Sequence, residues 1–492
     1  MVDVAAPPQP GPREADVVRP AVGLLAVAVA TAPLLAGHPT AAIAVSGGLL
    51  VVLLCGLFPV AAVGAYVGLN PLLAGIERGT LLPVVRPNEA LLLAVVSGIA
   101  AAPLLRWLRS GRALPRPRHA LDVVVPLVAV AGSVTPLLWR YARERDISVD
   151  DLLYAAQLWK LAVLYLAVRL VVRDRRAVRI VLVAAIAGAL VVGTTGLLQA
   201  VGVGPVIDVL TSLTPPEADG YSIDGSRATS TLGNPIAFGD VMIFSAVVAA
   251  ALALRLREGR LLLTAAAGYL LLCALASGQI SVLVGVLVAV AAFTVITRTF
   301  SRAVLVAVGV GVVALPLLQP VVEARLGSTD PRTGLPVSWT GRYGRLENLQ
   351  TYFWPEIGAD WNWLLGVRPA ARVPGAEPWR DWVYIESGYT WLVWTGGLPL
   401  LVATAALLAV SVAAGRRLRS SADPVRAALG VSLVAVVAAL AVVMLFDPHL
   451  TLRGGAELLF VLLALAAGQD QRGGHPGSTG EEPAVAAPAG AP

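Results

Sequence analysis

Long apolar runs separated by short polar turns fill most of the chain, the pattern of helices that cross a bilayer rather than of amphipathic helices around a water-soluble core. Taking about 17 to 25 apolar residues as a crossing, spans are predicted at 20–36, 40–55, 59–76, 88–105, 119–139, 151–172, 178–202, 235–254, 261–277, 280–297, 303–320, 386–413, 426–446 and 452–468. The second and third are the hardest to separate, because the stretch Leu49 to Ile76 is broken only at Cys55-Gly56-Leu57-Phe58-Pro59. The expected class is all-α: a polytopic membrane protein of fourteen spans with one large loop, 321–385, between the eleventh and twelfth. That divides the chain into a tail (1–19), spans one to eleven (20–320), the loop, spans twelve to fourteen (386–468) and a second tail (469–492). Both tails are rich in Pro, Ala and polar residues and are expected to bury no core.

Composition agrees, at 57% hydrophobic and 14% charged residues with a mean hydropathy of +0.77. Such a chain is too apolar for a soluble enzyme on a single anchor. The first run lacks the basic start and small-residue cleavage site of a signal peptide, so it is kept as a span.

Charge fixes the orientation. Arginines cluster at 106–118, at 173–179, at 255–260 and at 416–426. With fourteen spans all four clusters lie on the same side as both termini, as a cytoplasmic face requires. Thirteen spans would move the N-terminus outside. The loops 203–234 and 321–385 are then extracytoplasmic, and long loops escape the positive-inside bias.

The net charge of +6 is carried by arginine, with Lys160 the one lysine. No basic helix or zinc spacing points to nucleic acid. Instead the large loop joins seven arginines (Arg325, Arg332, Arg342, Arg345, Arg368, Arg372 and Arg380) to six tryptophans between Trp339 and Trp382. Guanidinium forks suit a pyrophosphate, and indole rings suit sugar faces. Solvated charge and an interfacial aromatic belt are the plainer uses.

The other outer loop ends Gly225-Ser226-Arg227, then Gly233-Asn234-Pro235. Asn234-Pro235 reads as a helix start, with Asn capping and Pro at the first position. A helix end behind Arg227 also favours an anion. Within the spans, Lys160 and Asp240 are costly unless paired. Lys160 is expected to pair with Asp240 or Glu457, either as structural glue or as the polar wall of a lipid-phosphate cavity. Cys55 and Cys273 read as buried packing residues.

Between Gly225 and Leu401 the order of motifs resembles the O-antigen ligase and polymerase superfamily of bacterial membrane glycosyltransferases. Arg227 with Gly233-Asn234-Pro235 matches its first element, with Ile236 in place of a second Asn. Arg345-Leu346-Glu347-Asn348-Leu349, Trp363-Leu364-Leu365-Gly366-Val367 and Glu386-Ser387-Gly388-Tyr389-Thr390-Trp391-Leu392, then Gly396-Gly397, match its large loop and the span that follows. Two departures stand out. Gln279 occupies a position where that family tends to have Arg. None of His38, His119, His449 and His475 falls in the large loop, and Glu386 stands where the ligases carry their loop His.

The resemblance implies metal-independent, inverting transfer of a glycan from a polyprenyl pyrophosphate to an acceptor hydroxyl on a glycan or lipid, outside a bacterial plasma membrane. Arg227, Arg342 and Arg345 would hold the pyrophosphate, with Asn234, Lys160 and Asp240 lining the site. Glu386 would be the general base, unless it merely favours the positive end of its helix. No cofactor is expected, since no Asp-x-Asp pair or His/Cys cluster stands in the outer loops. Without the loop His, a polymerase is favoured over a ligase. The rival class is a carrier, for an anion such as bicarbonate or for a lipid-linked oligosaccharide.

Overall fold

The computed structural model describes residues 39–82, 85–110, 119–214, 227–327, 336–341, 343–376, 378 and 380–473. The first predicted span, Arg332, Arg342, His38 and His475 lie outside these residues.

The principal helices are α1 (Pro39–Leu57), α2 (Pro59–Leu73), α3 (Pro87–Ser110), α4 (Leu121–Ala142), α5 (Val149–Val171), α6 (Arg175–Ala200) and α7 (Pro235–Arg255). After them come α8 (Arg260–Ala276), α9 (Ile280–Thr297), α10 (Phe300–Leu317), α11 (Gly388–Arg419), α12 (Pro424–Val443) and α13 (Gly455–Gly473). Among the described residues seven, α4, α5, α6, α7, α9, α11 and α12, are long and apolar enough to cross a membrane. The chain is a helical membrane protein.

Proline punctuates the bundle. Pro59 stands at the first position of α2, and the chain turns by 118° between Val45–Leu57 and Pro59–Leu73. A ring without an N–H starts a helix well and continues one badly. The uncertain break at Phe58-Pro59 is therefore a real corner. The last helix runs to Gly473, beyond the predicted end at 468, because Asp470 finds partners there.

α7 forms the centre, buried along nearly its whole length. Neighbours approach through glycine: a Cβ on Gly188 of α6 would lie 2.1 Å from the Gly68 carbonyl of α2, and one on Gly98 of α3 2.5 Å from the Val52 carbonyl of α1. Where hydrocarbon surrounds the helices, such close backbone contact is a main source of association.

Ion pairs define two ends. At one, Arg169 reaches Asp122 at 3.1 Å, Arg417 and His119 share Asp470, Arg175 faces Asp423 at 3.6 Å and Arg179 faces Glu258 at 3.5 Å. Three of the four basic clusters thus meet at a single end. At the other stand the starts of α5, α7, α11 and α13, the ends of α2 and α12, and the large polar loop.

That loop is fastened down by the arginines that gave it its charge. Ser148 and Asp151 form a capping box at the start of α5. Asp151, wholly buried, also accepts hydrogen bonds from Arg368 Nε at 2.8 Å and Nη2 at 3.1 Å. Arg372 bonds Asp150 at 2.7 Å and lies 4.2 Å over the Trp382 ring. Arg143 at the end of α4 pairs with Asp360. A two-stranded antiparallel ribbon, β1 (Arg372–Pro374) with β2 (Trp382–Tyr384), carries the chain to α11. Within α11 the helix is interrupted at Gly397, with φ 60° and ψ −153°, and a Cβ there would meet the Leu364 carbonyl at 2.3 Å. The second Gly of the Gly396-Gly397 motif is therefore required by loop packing and by a left-handed φ that glycine tolerates.

Asp151→Ala is expected to lower stability by about 3 kcal/mol, since it strands the Arg368 guanidinium. Limited trypsin digestion checks this: cleavage after Arg372, which Val373 follows, should accelerate, and an unchanged rate would show that the staple does not hold the loop.

Candidate functional site

Glu386 and Arg345, distant in sequence, meet at the loop end. Arg345 opens the short helix Arg345–Asn348, and its Nε lies 3.6 Å from Glu386 Oε1. Its Nη2 donates to Asp447 at 3.2 and 3.4 Å, its Nη1 to the Phe446 carbonyl at 3.3 Å, and the Trp339 ring is 5.9 Å away. One guanidinium thus bridges two carboxylates.

Glu386 precedes α11, and Ser387 is the residue that caps it, accepting from the Thr390 N–H. The idea that Glu386 simply occupies the first helical turn is corrected: it lies outside the helix, beside Arg345. Burial pushes its carboxyl up to about 7; Arg345 opposes that shift, and Asp447 adds to it. The side chain still keeps 31% of its surface exposed, so a substrate can reach it. A half-ionised, accessible carboxyl near neutral pH is the usual condition of a general base.

Behind it the cluster continues inward. Asp447 Oδ2 is 3.9 Å from His449 Nε2, and His449 Nδ1 is hydrogen-bonded to Asp240 at 2.8 and 2.9 Å. Burial opposes charge on His449, but Asp240 and then Asp447 outweigh it and hold the imidazole above the ordinary histidine range. Both His449 and Asp240 are buried. They back the site without facing substrate. Close approach is built in at Gly388, where a Cβ would lie 2.7 Å from the Asp447 and Met444 carbonyls.

The other predicted residues fall as follows. Asp240 does not pair with Lys160; Lys160 Nζ donates to Glu457 at 2.7 Å, and Glu457 also accepts from the Gly454 N–H at 2.6 Å. Asn234 caps α7, accepting from the Ile236 and Ala237 N–H groups at 2.8 and 3.1 Å, which engages the carbonyl that would otherwise face a ligand. Arg227 lies half-buried before that helix, where the neighbouring Ala228 N–H donates to the Ala276 carbonyl. Arg342 is not described. Asp447 and His449 were missed, although Asp447-Pro448-His449 lies in the turn between the last two spans, on the side that parity assigns to the large loop.

No protein-family model matches the chain, and no curated protein matches it. Geometry and chemistry carry the functional reading.

Proposed function

We propose that the protein is a bacterial plasma-membrane glycosyltransferase of the polymerase type, with fourteen spans, both termini cytoplasmic and the large loop outside. Its donor is a glycan on a polyprenyl pyrophosphate; its acceptor is a sugar hydroxyl of a second glycan. The observation that carries this reading is the accessible carboxyl of Glu386, raised toward neutrality and set against Arg345 under a stapled, tryptophan-rich loop.

In the proposed step the acceptor oxygen attacks the anomeric carbon as its proton passes to Glu386. The bond from that carbon to the phosphate oxygen breaks, and the electron pair leaves with the pyrophosphate. Arg345 steadies Glu386 and, with Arg227 and Arg342, the departing negative charge. Asp447, with His449 and Asp240 behind it, keeps Arg345 in place. Lys160 and Glu457 form the polar interior beneath.

A carrier is the second reading, favoured by the interrupted helix at Gly397, since transporters build their sites on broken helices. Reconstitution in liposomes with a lipid-linked oligosaccharide separates the two. Transfer predicts new glycosidic bonds and free polyprenyl pyrophosphate without anion flux. Flux without bond formation would overturn the transferase reading.

A further inference from the structure

Most arginines at the loop end already have carboxylate partners. Arg345 is held by Asp447 and Glu386, Arg368 by Asp151, Arg372 by Asp150 and Arg143 by Asp360. Arg86 and Arg453 differ. The Nε of Arg86 is buried without a hydrogen-bond partner. No hydrogen bond or ion pair joins either side chain to another described residue.

Their sequence neighbours meet at one cavity. Arg86 immediately precedes α3, where Asn88 Nδ2 donates to Asn70 Oδ1 at 3.3 Å, and Arg453 precedes Gly454 at the start of α13. Asn70 and Gly454 line one small cavity between α2, α7 and α13, with Tyr66, Ser245 and Glu457. Arg453 therefore adjoins a residue of the cavity wall, and Arg86 lies two residues from the Asn88 that bonds the wall residue Asn70. Tyr66 and Ser245, buried in its wall, leave their hydroxyls unpartnered.

Two of the nearby carboxylates are committed elsewhere. Glu89 accepts from Arg78 at 3.2 and 3.4 Å and from the Arg86 backbone N–H at 3.1 Å. Glu457 is held by Lys160 and the Gly454 N–H. Burial, and then repulsion from Arg453, lower Arg86 to about 10, which leaves it charged at neutral pH. Two half-buried guanidiniums that repel each other, neither of them in an ion pair with a described carboxylate, are costly unless an anion joins them.

We propose that Arg86 and Arg453 form a binding site for a phosphate-class anion beside this cavity. Paired forks match the several oxygens of a phosphate or pyrophosphate group. Resting on the transferase reading, the site holds the pyrophosphate of the polyprenyl carrier, adding two contacts to those made by Arg227, Arg342 and Arg345.

Binding tests the site apart from turnover. Radiolabelled inorganic pyrophosphate is titrated onto the purified full chain in detergent, and polyprenyl pyrophosphate onto the chain in nanodiscs, with phosphatidylglycerol as competitor. Arg86→Gln and Arg453→Gln should each weaken binding roughly tenfold or more, the loss of one charge-assisted contact. Arg416→Gln, a charge-matched control on the exposed surface at the opposite end of the bundle, should not. Arg86→Lys, expected to bind at intermediate strength, serves if Arg86→Gln fails to fold.

Equal binding of the free and lipid-linked anions identifies a free-anion site, and preference for the lipid identifies the carrier headgroup; either supports the proposal. Unchanged binding in both Gln variants, loss of equal size in Arg416→Gln, or full displacement by phosphatidylglycerol would overturn it. Binding that depends on both arginines without any transfer leaves the site standing and removes the transferase reading. Transfer with binding indifferent to both removes the site alone.

Discussion

Glu386→Gln is expected to slow glycan transfer by about 10²- to 10⁴-fold, the usual contribution of a positioned general base. The change keeps the side chain's shape and its place beside Arg345 but removes the proton acceptor. The wild-type rate should rise with pH and level off above about 7, because the carboxyl, pushed up to about 7, must be ionised to accept a proton. Residual activity of the variant should lack that inflection. Stability should move the opposite way. A folded-state value above the ordinary one means that the folded protein holds its proton more tightly than the unfolded chain. That contribution is full below the ordinary glutamate range and is lost as pH rises through about 7. Wild type should therefore lose stability between pH 5 and pH 8 by more than Glu386→Gln does, measured as the melting temperature in detergent. A pH–rate profile identical in the two proteins would remove Glu386 from the base role.

The second large effect belongs to the ion pair inside the bundle. Lys160→Met is expected to destabilise the fold by about 3–5 kcal/mol, because it leaves Glu457 buried without its counter-ion. The Glu457 side chain is 3% exposed and its partner 16%, so water can relieve little of that loss. Glu457→Leu alone strands Lys160 in the same manner. The double variant should recover much of the loss, since an apolar pair of similar volume tolerates burial well. A thermodynamic cycle over the three variants gives the coupling. Simple additivity would mean that the two groups do not depend on each other.

Much of this architecture was legible because lipid imposes simple rules. Apolar length marked the helices, and the arginine clusters at 173–179, 255–260 and 416–426 marked one end of the bundle, where the fold gathers them. Lys160 and Glu457 were a foreseeable pair because neither charge tolerates hydrocarbon alone. Asn234-Pro235 announced the start of α7 through capping chemistry that needs no tertiary information.

What escaped the sequence depends on contacts between distant segments. Arginine density in the large loop suggested ligand contacts, yet Arg368 and Arg372 are staples, because Asp150 and Asp151 stand beneath them at the start of α5. Local spacing does not reveal that a cation is already neutralised. No histidine falls in the large loop, but the turn between α12 and α13 brings Asp447 to Arg345 and His449 to Asp240. Asp240 consequently sits behind the cluster rather than beside Lys160. Glu386 and Arg345 were singled out only through the resemblance, and their 3.6 Å contact is the part of that expectation that geometry bears on.

The most direct test of the central claim is turnover by purified protein in detergent, with a polyprenyl-pyrophosphate oligosaccharide as the only substrate, in wild type, Arg345→Ala and Glu386→Gln. Longer lipid-linked chains from wild type, with both variants folded and inactive, are the predicted result. Chain growth that survives both substitutions, or wild-type protein that binds the donor and makes no new glycosidic bond, would contradict a polymerase built on this pair.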